Sequence, residues 1–192
     1  MRKLVLLFIA MTMALSLSAQ KNSVQLVSGD KDVFYKEEAV VNVVIDDHKT
    51  LIDGKDKTAD IYYGDKGADE YQKFIEDLDR AHESFITFFN EKKGGRIKLT
   101  MTGEPQFDAE YTLKINVASM NVGNAGGMAW GINRKAGGAL INGNMQLINN
   151  ETDEVVCEFI FARVKGLLSP VFKGRAISVY RYLADNLLKA VK

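Results

Sequence analysis

Few side chains in this sequence are equipped for acid–base, nucleophilic or metal chemistry. There are two histidines, His48 and His82, and one cysteine, Cys157. A structural zinc site takes four such ligands, more than these three side chains can supply. Asp46-Asp47-His48 would gather two carboxylates and an imidazole at the end of a β-branched run. Nothing at a fixed spacing completes a site around them, so the triplet reads as a solvated strand end. His82 falls midway between Ile75 and Phe89, beside the apolar stripe of a helical pattern, and a packed, hydrogen-bonded imidazole is expected there. Cys157 alternates with Val155, Phe159 and Phe161 along one face of a strand, which turns it toward the core as a small apolar residue. A nucleophilic thiol would need an activating base beside it.

The acidic residues offer little more. The run from Asp53 through Asp56 to Asp60 lacks the alternating carboxylates and closing glutamate of a calcium-binding loop and reads as a polar turn. Glu70, Glu76, Asp77, Asp79 and Glu83 fall on one helical segment, where surface charge explains them without a catalytic pair. The segment from Gly123 to Gly138 is the most unusual, with six of the 16 glycines and the only tryptophan, Trp130. It matches neither the dinucleotide fingerprint nor the phosphate-binding P-loop. Two readings stay open. The segment is a long hairpin connection whose Met128 and Trp130 fold back on the core, or it is a loop that contacts a partner through Met128, Trp130 and Arg134. Tryptophan, methionine and arginine are enriched at the centres of interfaces. No catalytic residue, metal site or cofactor is assigned.

Around these residues the chain divides into a leader and one domain. Arg2 and Lys3 precede an apolar run from Leu4, and Ser16-Leu17-Ser18-Ala19 supplies small side chains at its end. Residues 1–19 therefore read as a cleavable signal peptide, with the cut most simply after Ala19 and, alternatively, after Ser18. The apolar stretch from Leu4 to Leu17 is shorter than the ~20 residues that span a bilayer. Residues 20–192 are the size of a single domain. The 25 basic and 25 acidic residues balance, which gives no reason to expect nucleic acid, and a lone cysteine cannot form an internal disulfide.

Val24 to Val27 and Ala39 to Ile45 read as strands, and Thr50 to Gly67 as a loop in which Ile61-Tyr62-Tyr63 could pair as a short strand. Ala68 to Lys93 has the spacing of an amphipathic helix, with Tyr71, Phe74, Ile75, Leu78, Phe85, Ile86 and Phe89 on its apolar stripe. Alternating strands follow over Arg96 to Thr102, Tyr111 to Val122, Gly138 to Ile148 and Glu154 to Val164, four in succession, and suggest an antiparallel meander. After a Gly166 to Gly174 loop, the spacing of Ile177, Tyr180, Leu183, Leu187 and Val191 marks a closing helix. The expected fold is α+β: a single, mostly antiparallel sheet with two packed helices, in the order β-α-β-β-β-β-α.

The stretch from Gly138 to Cys157, closed by an amphipathic helix after Gly174, resembles periplasmic α/β domains of bacterial envelope-assembly proteins, such as the curli secretion channel and the amino-terminal domain of the Tol-system propeller protein. The resemblance implies a compartment, periplasmic or secreted, and a binding or assembly role alongside envelope proteins. The mature chain has no cysteine at the cleavage site for a lipid anchor and no transmembrane segment. The sequence leans away from an enzyme; the alternative is an envelope-polymer hydrolase with a carboxylate pair that the sequence does not locate.

Overall fold

The computed structural model describes residues 23–35, 39–47, 49–53, 55–93, 97–101, 109–123 and 137–192. The expected signal peptide, His48, and the Met128, Trp130 and Arg134 contact residues lie outside them. Among the described residues, seven strands form one sheet: β1 (Ser23–Gly29), β2 (Val40–Asp46), β3 (Leu51–Ile52), β4 (Lys98–Thr100), β5 (Tyr111–Asn121), β6 (Leu140–Asn149) and β7 (Glu154–Lys165). Three helices accompany it: α1 (Ala59–Gly64), α2 (Ala68–Lys93) and α3 (Phe172–Ala190), with a 3-10 turn at Lys31–Tyr35. The fold is α+β, as its periodicities suggest.

β5, β6 and β7 are successive antiparallel neighbours, and β1 adds to the far side of β7, also antiparallel. The expected four-strand meander is thus three strands long. β4 does not join it but lies at the opposite edge, parallel to β2. The cause is the 26-residue helix α2 between β2 and β4. A helical crossover returns the chain in its starting direction, so the next strand pairs in parallel. With β4 on one side of β2, β5 takes the other side, again in parallel.

The Ile61-Tyr62-Tyr63 segment is helical, not extended. Thr58 holds an extended conformation just before α1, and the helical turn lays Tyr63 on Phe74 with ring centroids 3.8 Å apart and 13° between planes. Phe74 stacks in turn near Phe172, at 5.4 Å. Three rings from three helices override the local β-propensity of the segment.

α2 and α3 pack against each other and cover one face of the sheet. The core between them and the strands includes Phe85, Phe89, Leu113, Ile115, Met145, Leu147, Phe159, Val179, Leu183 and Leu187. The other face is polar: Asn116 donates to Asn144 across β5 and β6, and Gln146 donates to Glu158 across β6 and β7. No helix among the described residues is long and apolar enough to cross a membrane.

Candidate functional site

A cluster of acid–base side chains among the described residues is closed. Asp47 leaves the end of β2, His82 sits in mid-α2 and Tyr180 in α3, with exposures of 2%, 7% and 0%. The Nε2 atom of His82 lies 2.7 Å from Oδ2 of Asp47, and the Tyr180 hydroxyl donates to the same oxygen at 2.9 Å. The imidazole and phenol rings meet edge to face at 5.0 Å. Burial, then the Asp47 carboxyl, pushes the Tyr180 hydroxyl well above its ordinary pKa, so it remains a donor. His82 is packed and hydrogen-bonded, as its helical position implies. Asp47 is not the solvated strand end expected of the Asp46-Asp47-His48 triplet, because two buried donors converge on it. A general base must reach the proton it removes. Here the three side chains bond one another and tie a strand end to both long helices.

Cys157 is buried, and desolvation, followed by the nearby Asp30 carboxyl, pushes its thiol up to about 12. That is an inert core thiol. Among the described residues no group of three or more histidine, cysteine or acidic side chains is placed to hold a metal ion. Of the acidic residues on α2, Glu70 and Asp77 share a recess. Seven residues at the helical rise separate their backbones by ~10 Å along the axis, and burial raises the Asp77 carboxyl above its ordinary pKa against the opposing pull of Lys173 and Lys73.

Three exposed apolar side chains sit together on the connection from β7 to α3, with a recess on either side of it. Leu167, Leu168 and Val171 on this short loop are 59%, 51% and 58% exposed. On one side Leu167 borders a groove of about 610 Å³ between α2 and α3, lined also by Phe88, Ile177, Arg181 and Tyr182. The Arg181 guanidinium lies 5.3 Å from the centre of the Phe88 ring. On the other side Val171 and Phe172 border the recess that holds Glu70 and Asp77, about 430 Å³ in volume, with Tyr63 and Phe74 in its wall. The loop between them is fastened from below. The Gly166 amide donates to Ala139 O at 2.7 Å, the Leu167 amide donates to the Ser178 hydroxyl at 2.8 Å, and Arg175 donates to Ser169 O at 2.6 Å and to Val122 O at 2.9 Å.

The glycine-rich segment joins the fold at this same end. A Cβ on Gly138 would lie 2.0 Å from Gly166 O, and one on Gly123, whose φ is +72°, would lie 2.5 Å from Gly137 O and 2.9 Å from Cδ of Arg175. Only glycine permits this approach. The two ends of the 124–136 segment are therefore held together beside the exposed loop. The sequence places a loop here but not its role: the helix begins at Phe172, before the expected end of the loop at Gly174, so Arg175 falls in its first turn, and three apolar residues in a loop carry no period.

No protein-family model matches the chain, and no characterised protein matches it in sequence. Solved structures that it resembles include the PelC dodecamer from Paraburkholderia phytofirmans, at 13% identity and a TM-score of 0.41 over 86% of this chain and 94% of that one. Another is a DUF330 protein from Xanthomonas campestris, at 13% identity and a TM-score of 0.42 over 90% and 93% of the two chains. Neither is the curli secretion channel or the Tol propeller domain named by the sequence resemblance. Likeness of this size does not establish what this chain does.

Proposed function

We propose that this chain is exported and acts as a binding or assembly module of the bacterial cell envelope, meeting a protein partner at the end of the molecule built around the Gly166–Val171 loop. The observation that carries the reading is the exposure of Leu167, Leu168 and Val171 together on one anchored loop. Contiguous apolar surface on a folded chain marks an interaction site more often than chance exposure. The groove beside it, with Phe88, Ile177 and Tyr182, offers a recess for an apolar side chain of the partner. Met128, Trp130 and Arg134 are assigned to the same contact, because their segment leaves and re-enters the fold beside the loop. Export rests on the leader at residues 1–19, and a periplasmic or secreted location follows from it.

The test combines processing with contact. Mature protein recovered from outside the cytoplasm begins at Gln20; intact Met1 would exclude export. A Leu167→Asp, Leu168→Asp double variant melts within ~0.5 kcal/mol of wild type, as exposed substitutions do, yet loses the cross-linked partner that the wild type retains. Equal cross-linking by both proteins would reject this end as the contact surface.

A further inference from the structure

The groove beside Leu167 does not stop where its apolar lining stops. It shares Lys92 and Asp185 with a second recess of about 280 Å³, bordered also by Tyr35, Lys189 and Lys192. The Ser84 hydroxyl of α2 lies 3.3 Å from Ile177 O of α3, Phe88 lies by Arg181, and Lys92 lines the same recesses as Asp185. The two helices therefore run side by side in one direction and end together. Gly174, Ser178, Arg181, Asp185 and Lys189 recur every three or four residues, which sets them on one strip along α3. From Gly174 to Lys189 that strip is ~22 Å long at the helical rise. It begins at apolar Leu167, Phe88 and Ile177 and ends among lysines.

The charges along the strip are uneven. Arg181, Lys92, Lys189 and Lys192 line the two recesses, and Asp185 is the one carboxylate among the described residues that does. Asp185 is already bonded to Lys189, at 2.6 Å. Glu91, next to Lys92 in sequence, lines neither recess. Around the half-buried Phe88 ring stand two cations, the Arg181 guanidinium at 5.3 Å from its centre and Lys92 Nζ at 5.9 Å. Helix C-termini favour cations, which accounts for lysines at the ends of α2 and α3. That preference does not extend to Arg181, in the middle of the 19-residue α3. An apolar groove with a basic rim is thus left facing outward.

We propose that the groove and the basic recess together hold an acidic, amphipathic segment of the protein partner. It lies along α3, with apolar side chains on Leu167, Phe88 and Ile177 and carboxylates among Arg181, Lys92, Lys189 and Lys192. This deepens the protein contact proposed above and rests on it. The apolar part anchors the segment, and the basic part selects it: complementary charge speeds encounter, while a basic segment is turned away. A lipid surface is the poorer occupant. Phe88 and Ile177 are half-buried in a concave groove that a flat bilayer does not enter, and Asp185 would face the lipid phosphates.

The test places a photoreactive residue at Tyr182, in the groove, and separately at Leu168, in the full chain in the producing cell. Both positions are expected to give an adduct of one mass. The partner peptide joined to Tyr182, read by tandem mass spectrometry, carries more Asp and Glu than Lys and Arg. Lys92→Glu combined with Lys189→Glu lowers the Tyr182 adduct about tenfold, whereas Lys92→Arg combined with Lys189→Arg keeps the charge and retains it. An adduct at Leu168 with none at Tyr182 overturns the groove assignment and leaves the loop contact standing; adducts at neither position reject both. A basic or uncharged partner peptide, a peptide of this chain itself, or an adduct of lipid mass at Tyr182 also overturns the proposal. So does undiminished cross-linking in the charge-reversed variant. If that variant fails to fold, the composition of the wild-type peptide still decides.

Discussion

At the scale of single residues, His82 shows what a helical period conveys and what it omits. Its place beside the stripe through Ile75 and Phe89 reveals burial, but its partners lie 35 residues earlier and, through their shared carboxylate, in α3. No local pattern links positions so far apart. Replacing His82 with Ala opens a cavity and removes a buried partner of Asp47, and urea unfolding should show a loss of ~1–3 kcal/mol. An unchanged midpoint would deny the packed role. Cys157 supports a prediction with a definite sign. Its folded pKa is raised from 9.0 to about 12, so the native state holds the proton that the unfolded chain releases. This contribution is complete below pH 9 and is lost as pH rises toward 12. The urea midpoint should therefore fall over that interval, less steeply in Cys157→Ala, and the native thiol should resist alkylation at pH 8. Tyr63 loses stability in the same direction between its ordinary value of 10.0 and about 12.

At the scale of elements, amphipathic periods were readable, and so was the antiparallel succession of β5, β6 and β7, but the pairing of β4 was not. α2 runs over Ala68–Lys93, the span that the spacing of Tyr71, Phe74, Leu78, Phe85 and Phe89 implies. β5, β6 and β7 likewise follow their alternation to within two residues at most ends. The position of β4 was illegible because a short alternating strand carries no mark of its neighbour, and the crossover through α2 decides the matter. Ile61-Tyr62-Tyr63 misled for a related reason: aromatic and β-branched residues favour strands on average, while here Tyr63 is committed to a ring stack that only a helical turn can reach. Tyr63→Ala removes the outer ring of that stack and should cost ~3 kcal/mol. Because α2 and α3 retain their contacts with the sheet, far-UV circular dichroism of the variant should keep nearly all its helical signal. A large helical loss would mean that α1 organises the long helices instead of resting on them. The loop after Gly166 was readable, but the exposure of its apolar residues was not, since that of Leu167, Leu168 and Val171 depends on what the rest of the chain leaves uncovered.

At the scale of the whole molecule, the two faces of the sheet and the two ends of the helices have different characters. One sheet face is sealed by α2 and α3, and the other is a polar lattice of asparagine, glutamine and charged side chains. The acid–base cluster is sealed within the helical layer. Leu167, Leu168 and Val171 are exposed together where β7 passes into α3 and where the glycine-rich segment is rooted, while other exposed apolar side chains, such as Leu51, Ile61 and Val155, lie elsewhere. The loop between β7 and α3 is the contact surface of the proposed binding role. Site-specific photo-cross-linking in the producing cell tests this most directly, with the photoreactive residue placed at Leu168, at Trp130, and at Lys114 on the polar sheet face as a control. One discrete adduct is expected, of the same mass at Leu168 and Trp130 and absent at Lys114, formed by protein whose first residue is Gln20. Adducts that are missing at Leu168, or that are equally abundant at Lys114, would contradict it.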